Sequence, residues 1–468
     1  MLTPPAPETL ARLKAALGPD GWSDDPARLA PKLAEWRGAW HGATPLLLLP
    51  RDVGQVAAAV QICAETRTAI TPQGGNTGLV GGQIPQGEVL LSLERMAAVR
   101  SVDPAEDVLV IEAGATLAAA QSAAASVGRL FPLSLASDGS ATVGGAISTN
   151  AGGVAVLRYG TMRALVLGIE AVLPDGSVFE GLKRLRKDNT GYDVKQLLIG
   201  AEGTLGVVTA AALRLFPLAS RATAIIGVAN PAAALSLLAL AQNASGGAVE
   251  AFELMGRAGV ALAIRHVPAV REPLSAAHPW YVLIEIAAGE AGAAETALQR
   301  ALEAGLAAGV VDDATVAQTY AQAEAFWALR EGQSAAQKPE GAAWKHDVAV
   351  PVGAVPDFIA AATQAAHAIA PGSRVVAFGH VGDGNIHFDV LPPEGGDGAA
   401  HTALYPQASR RIHDIAIGLG GTISAEHGIG VMKTAEALRL KSPVEIAAMR
   451  AIRGALDPRR IMNPRVLF

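Results

Sequence analysis

Two short segments gather the residues best suited to chemistry: Gly379-His380-Val381-Gly382-Asp383-Gly384-Asn385-Ile386-His387 and Ser424-Ala425-Glu426-His427-Gly428. The 468-residue chain has only 10 histidines, and three of them stand here beside a glutamate. Asp383-Gly384 is a two-residue hairpin signal, because a type I′ turn needs φ > 0 at both central positions. Apolar flanks, residues 375–378 before the turn and Ile386 with Phe388 after it, would form the two strands. Counting outward pairs Gly382 with Asn385, Val381 with Ile386 and His380 with His387. Opposed residues on one face have Cβ atoms about 5 Å apart. Two imidazoles at that spacing could share one divalent ion, and Glu426 could complete a His2Glu set with an open position. Two hydrogen-bonded structural histidines would show the same pattern, so spacing alone leaves both readings standing.

Composition bounds what must position these groups. The length suggests two to four domains. With 50% hydrophobic and 17% charged residues, a large core is available and bulk disorder is not expected. A net charge of −6 and 4% aromatics leave neither a basic stripe nor a stacking platform, so no nucleic-acid partner is expected. Cys63 is the only cysteine, which excludes an intrachain disulfide, a cysteine-ligated iron–sulfur cluster and a CxxCH haem site. Redox chemistry would therefore need an organic cofactor. The first residues lack a signal peptide's basic and apolar regions, and the longest apolar run, residues 222–240, is broken by Asn230-Pro231. That run is too short for a bilayer, so a cytoplasmic protein with no membrane span is expected.

The patterning predicts helices up to about Trp40, a strand over 44–49, an amphipathic helix over 53–66 and a strand at 69–70. A glycine-rich loop, Pro72-Gln73-Gly74-Gly75-Asn76-Thr77-Gly78-Leu79, follows directly. Strands over 89–93 and 108–112 and a helix over 117–127 come next, in an α+β domain ending near Pro217. Two more glycine-rich regions lie at 139–153 and 200–206, the last leading into a strand at 207–209. From Ala222 onward, alanine-rich helices alternate with strands such as 280–286. The capping box Ser442-Pro443-Val444-Glu445 starts a helix that should run to Leu456. Glycine loops of this kind let backbone N–H groups converge on an anion. None carries Gly-Lys-Ser/Thr or GxGxxG, so neither a P-loop nor a Rossmann fingerprint is present. Three in one domain imply an extended phosphate-containing ligand such as a dinucleotide.

The glycine loops, Lys187-Asp188-Asn189-Thr190-Gly191-Tyr192-Asp193 and Glu202-Gly203-Thr204-Leu205-Gly206 resemble the FAD-binding domain of the vanillyl-alcohol oxidase/PCMH superfamily. The C-terminal motifs narrow the resemblance to its D-2-hydroxyacid dehydrogenase branch, over residues 50–468. That implies an α+β architecture. Residues 1–219 would be a PCMH-type two-subdomain FAD-binding domain, 220–425 a substrate domain with an antiparallel sheet carrying the metal hairpin, and 426–468 a small helical segment returning to the flavin. By the same resemblance Gly74, Gly75, Asn76, Thr77 and Gly78 hold the FAD pyrophosphate, and Pro72 and Leu79 also bind the cofactor. Ser140, Thr142, Gly145 and Thr149 lie along the cofactor, Glu202, Gly206 and Val207 reach its adenosine part, and Asn463 returns to the flavin. Asn76 stands where some relatives carry a flavin-linked His, so the FAD is expected to be non-covalent. Ala141 departs from the cysteine common in the family, a change the backbone contacts should tolerate.

The resemblance makes His380, His387 and Glu426 ligands of Zn2+, with Mn2+ or Co2+ as substitutes, and His427 the catalytic base. Substrate contacts fall to Arg330, Ser334, Lys345 and Asn385, together with His427. Arg330 and Ser334, four apart, would share one helix face. Arg offers a planar fork to a carboxylate and Lys a compact charge. The implied activity is oxidation of D-2-hydroxyglutarate, with D-malate and related D-2-hydroxy acids as further substrates; D-lactate or glycolate is the alternative. Implied partners are electron-transfer flavoprotein or a quinone as acceptor, and a second copy in a homodimer. A flavin-free metal hydrolase and a nucleotide-binding sensor remain the competing classes.

Overall fold

The computed structural model describes residues 4–467. It divides into two compact units: residues up to 153 with 160–218 and 426 onward, and residues 154–159 with 219–425.

The first unit contains two larger sheets and a two-stranded pair, Arg129–Leu130 with Phe216–Pro217. In one, Val89–Ser92 lies between two parallel neighbours, Leu47–Leu48 and Ile70–Gln73, with Trp22–Ser23 antiparallel at the edge. All of Leu46, Leu47, Leu48 and Leu49 are buried, the continuous apolar run expected of a parallel strand. Only two of the six residues expected at 44–49 join the ladder, since parallel pairing is confined to Leu47–Leu90 and Leu48–Leu91. Helix Val53–Thr66 makes the crossover, as its amphipathic pattern predicts. Its cap is Asp52, whose side chain accepts from Gln55 N at 2.8 Å. Cys63 points into this packing, and burial pushes its thiol up to about 12, out of the reactive range. The second sheet is antiparallel, ordered Val99–Asp103, Val108–Glu112, Val207–Arg214, Val166–Val172, Val178–Gly181. The strand expected at 207–209 runs on to Arg214 because Ala210, Ala211 and Ala212 are small enough to be buried on both faces. The C-terminal helix Pro443–Leu456 starts at the capping box, with Ser442 Oγ accepting from Glu445 N at 3.2 Å. Beyond it Met462 bridges to Ile70, and buried Arg453 donates to the carbonyls of Val466, Met462 and Asn463.

The second unit is built on a seven-stranded antiparallel sheet ordered Asp313–Val316, Ser220–Val228, Trp280–Ala288, Val249–Gly256, Arg374–Gly379, Asn385–Leu391, Trp344–Ala349. Alternate residues face opposite sides of a strand. One side presents Ile226, Phe252, Ile284 and Phe388 to helices Pro231–Ser245, Ala293–Ala307, Val355–Ile369 and Tyr405–Gly418. The other presents Ile225, Met255, Leu283, Val376 and Phe378 to helices Arg257–His266 and Tyr320–Ala336. On this second side the register also aligns Glu253, His387, Asp389, Asp347 and Lys345. Among the described residues no helix is long and apolar enough to cross a membrane.

The hairpin differs from its sequence reading. Phe378, not His380, is opposite His387, a shift of two residues. Strand pairing ends at Gly379, and the N–H groups of Asp383 and Asn385 both donate to His380 O, at 3.1 and 3.2 Å. Asp383 Oδ1 accepts from Asn385 N at 3.1 Å, an Asx bond that folds the loop without the two positive φ angles of a type I′ turn. Asp383 accordingly keeps a negative φ, while Gly384 stands at φ 86°. A Cβ on Gly384 would come within 2.0 Å of Val350 O. Gly384→Ala should therefore cost more than about 1 kcal/mol and lower the thermal midpoint; an unchanged midpoint would show that the loop yields.

Candidate active site

In the first unit the three glycine loops enclose a cavity of about 700 Å³, whose wall also includes Glu426, His427 and Asn463. Every expected cofactor residue lines it, from Pro72 through Leu79, Ser140, Thr142, Gly145, Thr149, Glu202, Gly206 and Val207 to Asn463. The loops touch through bare backbone. A Cβ on Gly75 would lie 1.8 Å from Ser140 O, and one on Gly74 would lie 2.4 Å from Thr142 Oγ1. Asn76, at φ 56°, donates its amide to Pro31 O and Ala34 O at 3.1 and 2.9 Å, which fastens the loop from behind. Two cavity-lining acceptors, Gln73 Oε1 and Asn463 Oδ1, are buried with no hydrogen-bond partner among the described residues. Leaving such an acceptor unmet costs about 1–3 kcal/mol. A ligand bearing N–H groups, as an isoalloxazine and an adenine do, fits this lining.

Glu202 departs from its expected role. Its carboxylate accepts from Ile429 N at 2.8 Å and Gly430 N at 2.7 Å, so its side chain anchors the loop bearing Glu426 and His427 rather than reaching outward to adenosine. Burial raises its pKa, and the two amides and Lys433 only partly oppose that. Asn463 completes the arrangement by donating to Gly82 O and Glu202 O at 3.0 and 2.8 Å.

In the second unit Glu253 has no exposed side-chain surface and two partners. Its Oε1 accepts from His380 Nδ1 at 2.5 Å and its Oε2 from Arg330 Nε at 2.7 Å. Burial alone would raise this carboxyl, but His380 and Arg330 outweigh it and hold the group at about 2. Arg330 also lies over the Phe378 ring, 5.0 Å from its centre. Lys345 Nζ donates to Asp389 Oδ2 at 2.8 Å and Gln337 Oε1 at 3.0 Å, leaving a third ammonium proton. Arg330 and Ser334 do share helix Tyr320–Ala336, yet Arg330 is buried and Ser334 exposed, so one face does not serve both. Asn385 is also reassigned. Its Nδ2 donates to Asp347 Oδ1 and Val348 O at 3.0 and 2.9 Å, so both amide protons are already used within the sheet rather than offered to a substrate.

The rings of His380 and His387 lie 6.0 Å apart despite the shifted register. Glu426 follows Ala425, the last residue of this unit, by one peptide bond. His380, His387 and Glu426 are the two imidazoles and the carboxylate expected as metal ligands. Two imidazoles and a carboxylate are a donor set suited to zinc, and the fit is good. Sequence reasoning missed Glu253, Asp347 and Asp389. Glu253 stands between Phe252 and Leu254 and Asp389 between Phe388 and Val390, and that was the available signal, because a buried charge implies a partner; Asp347, after Lys345-His346, carried none.

Comparison with known proteins shows the family of the chain. The family model "FAD binding domain" matches residues 44–181, and "FAD linked oxidases, C-terminal domain" matches 218–467. A mitochondrial D-2-hydroxyglutarate dehydrogenase of Arabidopsis thaliana is 36% identical over 456 residues, covering 96% of this chain and 80% of that protein. The Bos taurus enzyme of the same name is 37% identical over 443 residues (94% and 80%), and one from Xanthomonas citri is 36% identical over 447 residues (95% and 93%). A p-cresol methylhydroxylase structure shares the fold at a TM-score of 0.77 and 16% identity, covering 98% of this chain and 96% of that one. An alkyldihydroxyacetonephosphate synthase does so at 0.74 and 18%, covering 99% and 87%. The chain belongs to the FAD-linked oxidases with a PCMH-type fold, and it is an FAD-dependent oxidoreductase related to the D-2-hydroxyglutarate dehydrogenases.

Proposed function

We propose that this protein oxidises D-2-hydroxyglutarate, and more slowly D-malate, to the 2-oxo acid with non-covalent FAD and a divalent metal ion, Zn2+ foremost. The observation that carries the proposal is the position of two consecutive residues. Glu426 and His427 both line the glycine-loop cavity, and the rings of His380 and His387 lie 6.0 Å apart. Non-covalent attachment fits Asn76, whose amide is not nucleophilic and is committed to backbone carbonyls.

Bound FAD supplies a hydride acceptor at N5, and a bound divalent ion supplies a Lewis acid that lowers the pKa of a coordinated hydroxyl. The protein's own residues provide the rest. His380, His387 and Glu426 would hold the ion. His427 would take the hydroxyl proton, work for which an imidazole is well suited near neutral pH. Arg330 presents its Nη edge, and Lys345 its third proton, to carboxylate oxygens. A substrate with a second, distal carboxylate uses both cations; D-lactate or glycolate would leave one idle. Electron-transfer flavoprotein or a quinone is the expected acceptor, since the sequence has no ligand set for a further redox centre.

The decisive experiment is a substrate panel with an artificial electron acceptor on purified yellow protein. Preference for D-lactate or glycolate would move the assignment to that branch. Lys345→Ala should lower kcat/KM for D-2-hydroxyglutarate about 10- to 100-fold, the worth of one charge-assisted hydrogen bond, while hardly changing D-lactate turnover. Equal losses on both would remove Lys345 from specificity. His427→Ala should keep the flavin absorbance and lose about 10²- to 10⁴-fold in kcat; near-normal turnover would exclude it as the base. Dialysis against a chelator should abolish turnover without bleaching the flavin, and added zinc should restore it. Full activity in the chelated protein would refute the metal.

A further inference from the structure

We propose that Glu253 is a positioning residue that joins the cation-binding and anion-binding ends of the site, orienting His380 toward a metal ion and Arg330 toward a carboxylate. The inference rests on the metal reading above and adds a residue which that reading does not contain. Glu253 lies inside strand Val249–Gly256, and its partners come from helix Tyr320–Ala336 and from the loop after Arg374–Gly379. An ionised carboxylate only accepts, so His380 Nδ1 and Arg330 Nε both donate.

Each bond has a directional consequence. A proton held on Nδ1 fixes the neutral ring in the tautomer whose lone pair is on Nε2, the nitrogen able to ligate. The bond to Nε, with Phe378 against the guanidinium face, fixes the plane of Arg330 and directs its two Nη groups as the fork. A purely structural role accounts less well for this arrangement. Buried ion triads can be replaced by apolar side chains with no loss of stability, and the neighbours here, Phe378, Met255 and Leu329, already form an apolar cluster.

Glu253→Gln separates the two roles because it is nearly isosteric. One amide oxygen cannot accept from both donors. With that oxygen toward Arg330, the NH2 group faces His380 Nδ1 and moves the ring proton to Nε2, where it blocks the ligating lone pair. The test measures zinc affinity by chelator competition on flavin-loaded protein without substrate. Glu253→Gln should bind zinc about 10- to 100-fold more weakly with unchanged flavin absorbance. At saturating zinc, its KM for D-2-hydroxyglutarate should rise about tenfold. Zinc affinity within twofold of wild type would overturn the inference alone; a wild-type protein that takes up no divalent ion would overturn the metal reading with it. A second measurement needs no variant that might misfold. Ring-nitrogen NMR of the metal-free wild type should show His380 protonated at Nδ1, and a ring protonated at Nε2 would refute the inference.

Discussion

A carboxylate with no water around it governs the second unit. Glu253 is fully buried between a guanidinium and an imidazole. Withdrawing such a charge from water costs several kcal/mol, and the cost is met only when both partners stay in register. Strand, helix and loop are therefore not free to slide past one another. The same constraint explains why one side of the sheet can carry a row of charged residues without losing cohesion. Its apolar members, Ile225, Leu283, Met255 and Phe378, pack beneath two helices, and its polar members meet one another. A central sheet is also a firmer base for ligating groups than a set of loops.

The first unit meets the opposite problem. Its cavity is made of loops, which are soft unless something holds them. Glycine supplies the rigidity here by letting backbone press on backbone, as Gly75 does against Ser140. Side-chain amides then fasten the loops, Asn76 to Pro31 and Ala34 and Asn463 to Gly82 and Glu202.

Local features were legible in the sequence. The helix Val53–Thr66 and the capping box at Ser442 follow from short-range periodicity and capping chemistry, and the glycine loops mark where the first unit's cavity lies. What failed depended on competition or on distance. The Asp383-Gly384 pair predicts one turn, but the aspartate's own side chain stabilises another and moves the register by two. The equal spacing of Arg330 and Ser334 cannot reveal that one ends buried and the other exposed. Glu253 has no motif at all, because its partners lie 77 and 127 residues away in the chain. Glu202 was recognised by its motif, yet its bonds to 429 and 430 span more than 200 residues and could not be foreseen.

Those long spans bear on how the protein is made. Asn463 closes on Gly82 across 381 residues and on Glu202 across 261, and the loop held by Glu202 follows the entire second unit in the chain. A ribosome emits the glycine loops early, at about 5–20 residues per second, and the wall they need arrives only with the last of the residues described. For the tens of seconds between, the nascent first unit has an open cradle and apolar surface awaiting a cover. The side chain that ties the glycine loops together is thus supplied only after the whole of the second unit.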